Sequence, residues 1–97
     1  MMFVVTLTHP PELCLSRKEF SAEFTRWLDG TEALEKKLGM KVHGAYACPA
    51  EHTFYVILET KDLESVTAFF AGIMLTHHKA RISPVISLKK AADILIR

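Results

Sequence analysis

The run Phe54-Tyr55-Val56-Ile57-Leu58 constrains this chain more than any other segment, because five successive apolar residues, mostly aromatic or β-branched, favour a strand. Side chains of a strand alternate between its two faces. Phe54, Val56 and Leu58 therefore share one face, and Tyr55 and Ile57 share the other. A strand that is apolar on both faces belongs to a sheet covered on both sides. The remainder of the chain must supply those two covers.

The flanking segments predict the order β-α-β-β-α-β. Phe3 to Thr8 is a β-branched, apolar run stopped by Pro10-Pro11. Phe3, Val5 and Leu7 point to one side of it, and Val4, Thr6 and Thr8 to the other. Ser16-Arg17-Lys18-Glu19 has the spacing of a capping box and predicts a helix carrying the stripe Phe20, Phe24, Trp27, Leu28, which is read as core. Asp29-Gly30-Thr31 interrupts that helix, Thr31 caps a second segment with Leu34 and Leu38, and Gly39 ends it. Lys41 to Cys48 and Thr53 to Thr60 then form a hairpin around the turn Pro49-Ala50-Glu51. Asp62 caps a helix running to about Gly72, with Leu63, Val66, Phe69, Phe70 and Ile73 on its buried side. Lys79 to Ile86 is the fourth strand, and Ser87 caps a short amphipathic helix over Leu88 to Ile96.

This order fits a ferredoxin-like α+β domain spanning 1–97, with a four-stranded antiparallel sheet in the order 4-1-3-2 and both main helices on one face. Those helices supply one cover. Strand four, with Ile82 and Ile86 opposed to Val85, repeats the two-sided pattern, so the second cover is expected to be another copy of the chain. The 97 residues are 49% hydrophobic, an apolar load that a small domain often places at a subunit interface.

The chain also resembles the dimeric α+β barrel superfamily, in which two ferredoxin-like sheets pack face to face. Thr8-His9-Pro10-Pro11-Glu12, Gly44-Ala45-Tyr46 and Ile82-Ser83-Pro84-Val85 carry the resemblance. It is similar above all to the small members of that superfamily with no assigned activity. Other members are cofactor-free monooxygenases, isomerases of ring-cleavage pathways and stress-response proteins. The resemblance implies a homodimer and fixes no catalytic residue.

Several functions lose support at once. A formal net charge of +1, with no long Lys/Arg run, supplies no basic face for binding nucleic acid through its phosphates. Phe54 and Tyr55 have the aromatic character of an RNA-binding strand, but the Gly and Lys/Arg pattern of such modules is missing around them. No run approaches the length of a membrane span, and Met1 to Leu7 lacks the basic flank of a signal peptide. Two cysteines, Cys14 and Cys48, form no disulfide framework and read as inert thiols in a reduced, cytoplasmic protein.

The predicted topology defines two candidate sites. Strands one and two end at the edge where strands three and four begin. His9, Cys48, Glu51, His52, His77 and His78 all fall at that top edge, and His43 falls at the opposite one. Strand spacing puts these residues within roughly 10–15 Å of one another. Imidazoles with a thiol and a carboxylate suit zinc, iron, nickel or copper, or proton transfer near neutral pH. They match no standard metal motif, and edge histidines bonded to backbone or water are the plainer alternative. The second candidate is a chamber between two sheets, lined by Thr6, Thr8, Tyr55, Ile57 and Glu59, with Arg81 and Ser83 from strand four. An apolar chamber with a few polar groups suits a small organic ligand or a cofactor-independent reaction on one. Its alternative is an interface filled by side chains, with Glu59 and Arg81 solvated at the rim. A domain with no ligand of its own, serving only interaction or regulation, is the third reading.

Overall fold

The computed structural model describes residues 1–96. Strands β1 (Met2–Thr8), β2 (Lys41–Cys48), β3 (Thr53–Glu59) and β4 (Lys79–Val85) form one antiparallel sheet in the order β2-β3-β1-β4. Read from the other edge, this is the expected 4-1-3-2. Helices α1 (Ser21–Asp29), α2 (Thr31–Leu38), α3 (Leu63–Phe69), α4 (Ile73–Thr76) and α5 (Leu88–Leu95) complete the α+β architecture.

The register aligns the alternation of neighbouring strands. Val5 lies opposite Val56 on one side and Ile82 on the other, so inward residues stack in rows across the sheet. Phe3, Val5, Leu7, Val56 and Leu58 are buried against Val66, Phe69 and Phe70 of the α3 region and Ile73 and Met74 of α4. Fully burying a side chain of this kind contributes about 1.5–3 kcal/mol, which makes this layer the main source of stability.

Local signals decide most boundaries. Asp62 accepts from the Ser65 amide at 2.8 Å and caps α3. Ser87 accepts from the Lys90 amide at 3.1 Å and caps α5. Gly39 takes φ of 63°, the left-handed conformation that closes α2. Between α1 and α2, Gly30 breaks the helix, and the Thr31 hydroxyl donates back to the Leu28 carbonyl rather than capping α2.

Further expectations need correction. The capping box at Ser16 and Glu19 does not form. Ser16 Oγ bonds Cys14 Sγ at 3.1 Å, Glu19 pairs with Arg17 at 3.5 Å, and α1 starts only at Ser21 with no side-chain cap. The helix from Asp62 does not reach Gly72. It ends at Phe69, Gly72 adopts φ of 88°, and a separate short turn of helix, α4, follows. Leu63 is exposed, not buried, because it sits at the first turn on the outer side of α3.

The aromatic stripe of α1 packs on the core without entering it. Phe20, Phe24 and Trp27 are partly buried, and Leu28 is exposed. Trp27 Nε1–H donates to the Phe69 carbonyl at 2.9 Å, tying α1 to the end of α3. Coverage fails toward the edges of the sheet. Every residue of β4 except Ile82 is exposed, and α5 keeps Leu88, Ile94 and Leu95 in solvent, as does Ile96 just after it. The radius of gyration is 14.8 Å, against about 12.5 Å for a compact domain of this length. The protein thus carries apolar surface that its own core does not use.

Candidate functional site

The top edge gathers three histidines into a continuous chain. His9 follows the last residue of β1 and is 4% exposed. His52 immediately precedes β3 and adopts φ of 50°, the one positive φ outside glycine among the described residues. A left-handed residue of this kind carries backbone strain of about 1 kcal/mol or more, held here by surrounding bonds. Its carbonyl accepts from the His9 amide at 3.1 Å and its own amide donates to the Pro49 carbonyl at 3.2 Å. His78 follows α4, whose Met74 carbonyl it reaches through Nδ1 at 2.7 Å.

The imidazoles meet in sequence. His9 Nδ1 lies 2.9 Å from His78 Nε2, and His9 Nε2 lies 3.3 Å from His52 Nδ1. The Met74 carbonyl can only accept, so His78 Nδ1 carries the hydrogen and, in the neutral ring, Nε2 carries a lone pair. His9 must then donate from Nδ1, which leaves the lone pair of a neutral His9 on Nε2, facing His52. One backbone carbonyl thereby sets the tautomers of two rings.

Burial favours neutral rings. It lowers the pKa of His9, and repulsion from His52 and His77 lowers it further. His78 is lowered by burial above all, against the opposing bond to Met74, with His9 and His77 adding to the fall. Phe54 packs against both rings, with centroids 5.8 Å from His9 and 5.4 Å from His78.

Cys14 completes the group. The turn at Pro11–Leu13 folds the chain back after His9, and the Cys14 amide donates to the Pro11 carbonyl at 3.1 Å. One ligand atom from each of His9, Cys14 and His52 lies within 4.8 Å of the others. The Ser16 side chain and backbone hydrogen-bond the thiol and, with Arg17, lower its pKa despite some burial. Sequence reasoning passed over this residue as an inert thiol. The available signal was its placement five residues after His9, across a Pro-Pro turn that reverses the chain.

The other top-edge candidates go elsewhere. His77 turns onto Phe20, with ring centroids 4.5 Å apart, and its Nδ1 lies 3.1 Å from Thr76 Oγ1. Glu51 accepts from the Tyr55 hydroxyl at 3.1 Å, a bond that raises the Tyr55 pKa, and Cys48 stays half-buried at the end of β2.

The chamber candidates sit on the sheet face away from the helices. In register, Thr6 lies between Tyr55 and Arg81, and Val4 lies between Ile57 and Ser83. Thr8 Oγ1 is 3.4 Å from Thr53 Oγ1. A bulge between Val42 and Gly44 re-aims His43, which meets Glu59 at 3.0 Å and lowers its pKa. Tyr46, opposite Tyr55, lies across Gly44, where an added Cβ would come within 2.7 Å of the ring. Met2, Val4, Ile57, Tyr55 and Tyr46 leave this face apolar at its centre, and Arg81, Ser83 and Glu59 are exposed around it. A separate cavity of about 210 Å³ opens on the helix side, between α1 and α2 and the β2 edge, lined by Phe24, Trp27, Val42, Phe54 and Met74.

Among the described residues no helix is long and apolar enough to cross a membrane. The fold thus defines a small α+β domain built on a four-stranded antiparallel sheet, with a His/Cys cluster at one end of it. The family model described as "Domain of unknown function (DUF3303)" matches residues 1–97, and the chain belongs to that family. No curated protein matches it.

Proposed function

We propose that the chain is a ferredoxin-like subunit of a homodimeric α+β barrel that binds a small apolar organic molecule between its two sheets. The observation that carries this reading is the unused apolar surface: a helix-free sheet face centred on Val4, Ile57, Tyr55 and Tyr46, together with the exposed apolar side of α5. Two such surfaces on one chain are satisfied together when a second copy presents the same pair. Tyr55 and Thr6 then offer hydroxyls to an otherwise apolar chamber, and Arg81, Ser83 and Thr8 stand at its rim. Free Cys14 and Cys48 support a reducing, cytoplasmic setting for this subunit.

Native mass spectrometry with a panel of aromatic and aliphatic compounds tests the ligand. The expected result is one bound compound per protomer of the dimer, lost in Tyr55→Ala. A dimer structure in which Tyr55, Ile57 and their counterparts fill the space between the sheets would eliminate the chamber.

A further inference from the structure

We propose that His9, His52 and Cys14 form a three-ligand site for a zinc-class transition metal ion, with His78 as the residue that holds His9 in its ligating tautomer. The site lies at the top edge on the helix side of the sheet, where His9 packs against Phe54. It does not depend on the inter-sheet chamber, so either can fail alone.

Geometry carries the inference. Two imidazole nitrogens about 2.0–2.1 Å from a tetrahedral ion stand about 3.3 Å apart. His9 Nε2 and His52 Nδ1 are 3.3 Å apart. The neighbouring His9 to His78 bond is 2.9 Å, the ordinary hydrogen-bond length, so the longer contact is the one an ion can bridge. A thiolate and an imidazole on the same ion stand about 3.6 Å apart. The cluster spans up to 4.8 Å, so closure needs a movement on the order of 1 Å. Cys14 can make it, because its thiol is half-buried and its side-chain partner is the nearby Ser16 hydroxyl.

The surroundings fit a ligand set. A metal-bound histidine generally donates its other N–H to a fixed acceptor, which orients the ring and raises its basicity. His9 donates to His78 Nε2, and His78 in turn is anchored on the Met74 carbonyl. The strained left-handed backbone at His52 presents its ring to His9 instead of to solvent. Two imidazoles and one thiolate select borderline and soft ions over magnesium or calcium, which take oxygen ligands. Three protein ligands leave a fourth position for water or a small ligand.

The test uses full-length protein without a histidine tag, stripped with chelator and kept reduced. Titration with zinc, read by competition with a chromophoric chelator, is expected to show one ion per chain. Cys14→Ser and His52→Ala are expected to weaken binding at least 100-fold. His78→Ala is expected to weaken it about 10–100-fold, as loss of an orienting partner does. Cobalt(II) gives a signature that a purely structural role would not move: a thiolate-to-cobalt charge-transfer band in wild type and His78→Ala, absent in Cys14→Ser. The proposal is overturned if no stoichiometric zinc or cobalt binds, if magnesium binds as tightly, or if Cys14→Ser and His52→Ala bind like wild type. Circular dichroism of each variant establishes that lost binding is not lost folding.

Discussion

His9 is the centre of the top-edge network, and two substitutions there separate its two bonds. His9→Ala removes a ring that is 4% exposed, leaving His78 Nε2 and His52 Nδ1 without their partner. Lost packing and an orphaned, half-buried acceptor together cost about 2–4 kcal/mol. Each kcal/mol moves the midpoint of a domain this size by about 4–8 °C, so Tm falls by roughly 8–32 °C. His9→Asn places an amide nitrogen near the former Nδ1, keeps a donor for His78, and loses the longer contact and part of the ring packing on Phe54. Its expected cost is about 1–2 kcal/mol. Chemical unfolding of metal-free protein, followed by circular dichroism, measures both. The reasoning is refuted if His9→Ala costs less than about 0.5 kcal/mol, or if Asn is no better than Ala.

Trp27→Phe loses the donor to the Phe69 carbonyl and part of the ring's packing against Phe69 and Phe70, so guanidinium unfolding should register a cost of about 1–2 kcal/mol. Gly39→Ala places a Cβ at φ of 63°, which should lower stability by about 1 kcal/mol although the space around it is open, and a thermal scan detects this. Asp62 has its pKa lowered by hydrogen bonds from the Ser65 side chain and, next, the Ser65 amide. A carboxylate depressed in the folded state stabilises above its unfolded pKa and loses that contribution as pH falls through the folded value. Asp62→Ala should therefore lower Tm by a few degrees at neutral pH, with the gap to wild type closing under acid.

The fold was legible because its signals are local and agree with one another. Two-sided apolarity in Thr53–Glu59, caps at Asp62 and Ser87, and Gly39 as a helix stop each act within a few residues. Ser16-x-x-Glu19 misled for the same reason. It is a valid local pattern, but Cys14 and Arg17 take its side chains after the Pro11–Leu13 turn. Strand order alone brought His9, His52 and His78 to one edge. It could not choose His78 over His77, because that depends on where α4 ends and which ring reaches the Met74 carbonyl. Cys14 was hidden because it belongs to no strand. A turn after β1, invisible to periodicity, returns it to the cluster.

The helix-free sheet face makes the central claim directly measurable by sedimentation equilibrium at micromolar concentration. The account predicts a mass twice that of the 10.9 kDa chain, and dissociation toward one chain in Ile57→Lys, which places a charge at the centre of that face. A wild-type protein that sediments as a single 10.9 kDa chain at these concentrations contradicts it.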